Sequence, residues 1–406
     1  MNTERKLETL GTAAQFDLCG ACLNPKNDPK AHRQKGHMDR WVYPAAMPDG
    51  KTILLFKVLM ANRCENNCLY CVARKGNDQP VLSFEPEELA RLFIEMLVKR
   101  LVEGLFLSSA ILGNAQRMMD KMLATVELLR FRYRFPGYVH LKVLPGSRMD
   151  QIERAVQLAT RVSVNLEAPS PERLSLIAPD KRYAEDLFKQ ILVMHKLITK
   201  FNEGIKGIPP RGQTTQFIVG AAGESDAEIL GITNTLYGKL NLSRVFFSAF
   251  QPAEGTPFDS RKPTPLLREH RLYQTDFLFR RYGFKPEEVG LTQEGNLPLS
   301  KDPKTIWADA HPEFFPLEIN TAPEHALLRV PGLGPKTIRK VLKIRRYHKF
   351  RSIEELANLG MRTRISSGYL LLNGRLASSR YTQKEIWQPE KIVFGKITEA
   401  PLPNLP

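Results

Sequence analysis

The sequence predicts an α/β fold built around a parallel sheet, and three observations lead there. Six short apolar segments rich in β-branched and aromatic residues recur between residues 52 and 250. Amphipathic segments at helical spacing separate them. Strands that alternate with helices are joined by right-handed β-α-β crossovers, which makes neighbouring strands parallel. A partial (β/α)6 barrel and a doubly wound sheet both satisfy this alternation.

Residues 1–50 read as a lead-in. Leu7, Leu10, Ala14 and Leu18 have helical spacing, and Pro25, Pro29, Pro44 and Pro48 mark a loop-rich stretch after them. Within it lie Cys19-Gly-Ala-Cys22, His32 and His37. These could form a zinc site, ligate an auxiliary cluster or act as a redox thiol couple; reduced cysteines beside surface histidines are the plain alternative. Residues 51–285 form the core. Its strands are expected at 52–60, 104–109, 138–144, 161–167, 214–220 and 244–250. Its helices are expected at 86–101, 115–131, 150–159, 183–200, 225–238 and 266–281. The first is the clearest: Leu89, Leu92, Phe93, Met96, Leu97 and Leu101 make one stripe, and Pro86, Glu87 and Glu88 suit a first turn. Loops 202–213 and 251–265 are rich in Pro and Gly, so each is either a lid or a simple connector. Residues 286–317 read as a linker, 318–380 as a small all-α module and 381–406 as a tail.

A chain of 406 residues is long enough for two or three domains. Hydrophobic content of 42% and charged content of 25% are those of a globular protein. There is no apolar run of the 18 or so residues that a membrane span needs. The opening Met1-Asn-Thr-Glu-Arg-Lys6 lacks the apolar core of a secretory signal. Five cysteines, an odd number, argue against a disulfide framework, so a reducing cytoplasm is expected. The net charge is +16 and the isoelectric point near 9.6. From Thr321 onward 16 Lys and Arg face 6 Asp and Glu, so most of the excess sits in the last fifth of the chain.

Chemistry concentrates at residues 61–72, where Cys64, Cys68 and Cys71 are spaced C-x3-C-x2-C on a loop directly after the first strand. Three thiolates can hold three corners of a cubane iron–sulfur cluster and leave one iron open. A closed zinc site would normally take a fourth ligand. With Tyr70 before the last cysteine, the motif resembles the radical S-adenosylmethionine (radical SAM) superfamily. That resemblance implies a partial (β/α)6 barrel, a [4Fe–4S] cluster on Cys64, Cys68 and Cys71, and S-adenosylmethionine cleaved to a 5′-deoxyadenosyl radical. It also implies cofactor contacts: Tyr70 against the adenine, and Ser108 and Ser109 where the family usually carries Gly-Gly-Glu. Asn165 and Glu167 alternate with apolar residues on the strand at 161–167 and should point into the barrel, either to a ribose or into a polar network that supports the structure. Gln216-Phe-Ile218-Val-Gly220 resembles the adenine segment, without its leading glycine. Arg268, Glu269 and His270 are candidate substrate or proton-transfer groups, or a solvated helix face.

Residues 318–346 read as helix, tight Val330-Pro-Gly332-Leu-Gly334-Pro turn, helix, and 350–362 as a degenerate repeat. The stretch resembles the helix-hairpin-helix motif of DNA-binding proteins. Glycines permit the turn, the amides after it face an anion, and Lys336, Arg339 and Lys340 add charge near a phosphate. Gly332, Gly334, Lys336, Arg339 and Lys340 are therefore the expected nucleic-acid contacts. Across residues 50 to about 350, stretches such as Glu103–Ser109, Tyr138–Gly146 and His311–Asn320 resemble a subgroup of DNA modification or repair radical SAM proteins associated with a uracil-DNA-glycosylase-like partner. The expectation is an enzyme acting on duplex DNA, served by a reductase or a flavodoxin or ferredoxin as electron donor. A transfer-RNA-modifying enzyme and a non-catalytic iron–sulfur DNA-binding protein are the alternatives.

Overall fold

Seven strands form one sheet whose spatial order is their order along the chain. They are β1 (Val42–Ala46), β2 (Thr52–Leu59), β3 (Gly104–Ser108), β4 (Tyr138–Lys142), β5 (Arg161–Ser163), β6 (Gly212–Val219) and β7 (Arg244–Ala249). From β2 to β7 every neighbouring pair is parallel, whereas β1 runs antiparallel to β2. The computed structural model describes residues 3–14, 41–46, 52–76, 80–204, 210–377 and 391–403. Cys19, Cys22, His32 and His37 lie outside the described residues.

All six expected strands are present. Their monotonic order excludes the doubly wound alternative, in which the strand order reverses at a switch point. The result is a curled half-barrel with its helical crossovers between successive strands. β1 departs from expectation, since Pro44 reads as a loop breaker. Proline is tolerated on an edge strand, where its missing N–H disturbs no central ladder, and β1 is the edge that covers β2.

The crossover helices follow their patterns. Helix α1 (Thr3–Ala13) is joined to α2 (Pro86–Val98) by a Lys6–Glu88 ion pair of 2.6 Å. α2 starts on a capping box between Glu85 and Glu88 and buries Leu89, Ala90, Phe93 and Met96. Asn114 caps α3 (Ala115–Glu127) by accepting from the amides of Gln116 and Arg117. Then come α4 (Met149–Leu158), the short α5 (Pro171–Ser175), α6 (Lys189–Gly204), α7 (Asp226–Leu240) and α8 (Leu266–Tyr282).

Strand β5 is shorter than expected. After Ser163 the backbone leaves the ladder, and the Thr215 hydroxyl fills the gap by donating to Val164 O (2.7 Å) and accepting from Leu166 N (3.1 Å). The ladder resumes at Glu167, whose amide donates to Gln216 O and whose carbonyl accepts from Ile218 N. Glu167 takes φ +65°, a left-handed conformation uncommon for a residue with a Cβ.

The chain divides into two compact units, the first comprising residues 1–224, 232–269 and 400–406, the second 225–231 and 270–399. Residues 286–317, expected as a linker, instead belong to the second unit. They carry α9 (Pro303–Ala310), whose Trp307 packs with Leu278, Phe284 and Ala308 in an aromatic core. Next come β8 (Leu317–Glu318), α10 (Glu324–Leu327), α11 (Pro335–Ile344), α12 (Ile353–Asn358), α13 (Thr363–Ser366), β9 (Leu370–Leu372) and β10 (Arg375–Leu376). The expected all-α module thus includes a small sheet ordered β10-β9-β8. Its core gathers Ile319, Leu327, Val330, Leu333, Ile338 and Phe350. The turn before α11 packs on α13: Ser366 Oγ donates to Pro331 O (2.8 Å) and Arg362 N to Gly332 O (3.3 Å).

Gly332 has φ +75°, and a Cβ there would lie 2.5 Å from Ser366 Oγ and 3.2 Å from Arg362 O. Gly332→Ala should therefore destabilise the second unit by about 1–3 kcal/mol. Gly374→Ala has a similar φ of +78° but open space around it, and should cost less. Thermal unfolding of the two variants side by side checks this ranking.

Candidate active site

The cysteine loop leaves the C-terminal end of β2 and is tied down by its own backbone. Asn62 closes its base, with Nδ2 donating to Pro80 O and Oδ1 accepting from Leu82 N, both 2.9 Å. Cys64 N donates to Ala73 O (2.7 Å), Cys71 N to Cys68 O (3.1 Å) and Lys75 N to Asn66 O (3.1 Å). Two further bonds come from the segment after α5: Leu69 N donates to Ile177 O (2.8 Å) and Asn67 N to Asp180 Oδ2 (2.9 Å). The amide of Ile111 points at Cys64 Sγ, 3.4 Å away.

Cys64, Cys68 and Cys71 open into one cavity of ≈ 300 Å3 at the C-terminal ends of the strands. Tyr70, Ser108, Ser109, Asn165 and Glu167 line the same cavity. A second hollow of ≈ 370 Å3, at the N-terminal end of β6, is lined by His195, Arg211 and Gln213 and holds no cysteine. Among the described residues no three His, Cys, Asp or Glu side chains converge as a single metal ion requires. A cubane needs no such convergence, since each thiolate binds its own iron.

Lys181 Nζ lies 3.1 Å from Glu167 Oε1, and both side chains are about nine-tenths buried. Glu167 Oε2 is buried with no hydrogen-bond partner, so it is available to a ligand. Burial pushes the Cys68 thiol up to about 11 against the opposing pull of Lys181, and burial with the charge of Cys68 pushes Cys71 up to about 12. Burial would lower Lys181, but the charges of Cys68 and Glu167 outweigh it and hold the ammonium protonated. Burial, then the charge of Glu167, raises the Tyr70 hydroxyl well above its usual range. Bound iron, itself a strong local positive charge, would lower the Cys68 and Cys71 thiols from these raised values and take them as thiolates.

Gly220 is placed differently from expectation. It does not line the cavity; its amide donates to the Glu224 carboxylate. With φ +88° and a virtual Cβ 2.1 Å from Thr264 Oγ1, it serves the turn that leaves β6. Ile218 and Gln216 of the same strand do line the cavity. Arg268, Glu269 and His270 do not line it either. Arg268 donates to Glu224 O (2.7 Å) in the turn that follows β6, and Glu269 Oε2 accepts from Ala249 N (2.7 Å) at the end of β7. Gly332, Gly334, Lys336, Arg339 and Lys340 belong to the second unit, with both glycines in the turn and the three cations exposed on α11.

Two cavity residues had no place in the sequence reading. Lys142 ends β4 on the same face as His140, so a charged residue at an inward position of a buried strand was the available signal. Lys181 sits on an irregular segment that no periodicity marks.

The radical SAM superfamily model matches residues 58–236. The chain is similar to the crystal structure of HydG, a maturase of the [FeFe]-hydrogenase, at 14% identity and TM-score 0.43, covering 54% of this chain and 48% of that one. It is similar to methylornithine synthase (PylB) at 12% identity and TM-score 0.44, covering 54% and 60%. HydG from Carboxydothermus hydrogenoformans matches at 14% identity and TM-score 0.43, covering 74% of each chain. The first two matches thus span about half to three fifths of those proteins' length. No curated protein matches the chain. No helix among the described residues is long and apolar enough to cross a membrane.

Lys181→Met leaves a buried carboxylate unpaired and should cost about 3–5 kcal/mol. The double variant Lys181→Met/Glu167→Gln should recover much of that loss, as read by denaturant unfolding of the cluster-free protein. A second test concerns Glu269, which burial raises to about 7 from an ordinary 4.5. The folded state then favours the protonated form, so its contribution is full below pH 4.5 and is lost as pH rises toward 7. Glu269→Gln should flatten that part of the stability profile, measured as melting temperature between pH 4.5 and 8.

Proposed function

We propose, from the premise that the chain carries a radical SAM domain at residues 58–236, that it is an enzyme acting on DNA, modifying or repairing a base or sugar. The superfamily uses a [4Fe–4S] cluster and S-adenosylmethionine, and the donors in the cavity fit both. Cys64, Cys68 and Cys71 would each hold one iron and leave the fourth for the methionine moiety. When bound, the cluster supplies the electron that cleaves S-adenosylmethionine to a 5′-deoxyadenosyl radical, which takes a hydrogen atom from the substrate.

The chain's own residues orient and shield. Ser109 donates its hydroxyl proton to Ala110 O (2.6 Å), which leaves Oγ as an acceptor for a cofactor ammonium. Glu167 Oε2 and the Asn165 side chain offer acceptors for ribose hydroxyls. Lys181 pairs with Glu167 at 3.1 Å and gives the buried carboxylate a partner. Val143, Leu144, Ile218 and Phe250 form apolar walls that exclude water from a reactive radical.

The observation that favours DNA is the exposed cationic face of α11, which starts at the glycine turn with Lys336, Arg339 and Lys340. Such contacts position a nucleic-acid backbone without reading its bases, and a base within a duplex would have to be flipped out to react. A flavodoxin- or ferredoxin-type donor would supply the electron, and a uracil-DNA-glycosylase-like protein is a fitting partner for a repair role.

Anaerobically reconstituted protein with a strong reductant should release 5′-deoxyadenosine, faster with duplex DNA present. Cys68→Ala should reduce release to background. No release with or without DNA would sink the enzyme reading, and stimulation by transfer RNA in place of DNA would move the substrate to RNA.

A further inference from the structure

Helix α11 continues past the turn in a way that the hairpin alone does not require. Exposed residues fall at 336, 339, 340 and 343 of the helix and at 346–349 in the turn and loop after it, while Thr337, Ile338 and Val341 are buried. Lys336, Arg339, Lys340 and Lys343 share one face of α11, and Arg346 continues the basic run in the turn after it. Between residues 336 and 353 the chain has eight Lys and Arg and no Asp or Glu. Tyr347 follows Arg346 and is 88% exposed. Its neighbour Arg345 is turned inward, donating to Ile319 O and Ala322 O, and so fixes the turn that presents Tyr347. His348 pairs with Glu355 at 2.6 Å, which holds the next residue to α12.

A tyrosine ring this exposed gains nothing from the protein's own packing. From Lys336 to Lys343 α11 rises about 10 Å, a span of about three phosphates at ~3.4 Å of axial rise per nucleotide, and Arg346 and Tyr347 follow in the turn after it. A cationic track that ends in an open aromatic face combines the two elements by which proteins hold single strands, backbone charge and base stacking. An intact duplex could use the charge but offers no free base face to the ring.

We infer that the exposed face of α11 is a binding site for a DNA strand with an unpaired base, on which Tyr347 stacks. The second unit would thus prefer a duplex that adjoins single-stranded or unpaired nucleotides over an uninterrupted one. This rests on the DNA reading proposed above and adds the form of DNA that is bound.

The test is fluorescence anisotropy of the full chain with a labelled blunt duplex and with the same duplex carrying a single-stranded overhang. Wild type should bind the overhang substrate more tightly. Tyr347→Ala should weaken that complex about tenfold and leave the blunt duplex unchanged, while Tyr347→Phe keeps the preference. Lys343→Gln should weaken both substrates alike and lower the salt slope by about one. If wild type binds both substrates equally, or Tyr347→Ala keeps the preference, the inference is overturned and the DNA reading stands. If neither substrate binds, the DNA reading itself fails and takes this inference with it.

Discussion

Charge balance in a buried space governs the first unit. The cavity has to accommodate three thiols, a carboxylate and a lysine where water is scarce, and the Glu167–Lys181 pair is what makes that tolerable. A buried ion pair is weak evidence for stability, because desolvation offsets most of its attraction. Its value here is positional. Glu167 reaches the cavity only because the strand breaks after Ser163 and Thr215 bridges the gap. Lys181 reaches it from the segment whose Ile177 and Asp180 grip the cysteine loop. The pair thus joins three stretches of chain that must be in register for the site to exist, and the left-handed φ of Glu167 is the local cost.

Much of this was legible in the sequence, and the exceptions have physical causes. The six parallel strands announced themselves as short segments rich in β-branched and aromatic residues between amphipathic stretches. Their monotonic order did not, since alternation alone is silent about which strands become neighbours. β1 was hidden by Pro44, and residues 286–317 by a composition that looks like a connector until Trp307 is seen in its aromatic core. The cysteines could be placed because they follow a strand directly. Glu167 was found for the wrong local reason: it was read as an inward position on an extended strand, yet it lies beyond the strand's end with φ +65°. Lys181 could not be found, since its partner is created by folding. Gly220 was assigned to the cofactor by resemblance, whereas its geometry is explained by Thr264 and Glu224.

The second unit shows the opposite economy. Its interior is apolar and aromatic, from Ile319 and Phe350 in one cluster to Phe284 and Trp307 in the other, and its cations are turned outward or spent on structure. Arg329 pairs with Glu288 and lies over the Phe284 ring, and Lys304 donates to Leu333 O in the glycine turn. On α11, Arg339 and Lys340 donate, among the described residues, only to the carbonyls of Pro335 and Leu359, at 3.4 Å each, so they stay at the surface with their charge.

The cysteine loop has a bearing on how the protein matures. Most of its hydrogen bonds join backbone groups or run to residues 177–180, and the thiols add contacts of their own, Cys64 with the Ile111 amide, Cys68 with Lys181 and Cys71 with the Ala73 backbone. A site ordered in this way asks little conformational rearrangement of an incoming iron–sulfur cargo. What delivery has to overcome is protonation: the buried Cys68 thiol and the half-buried Cys71 thiol must each release a proton. Cluster assembly is then tied to proton release, as metal binding by thiols is in general.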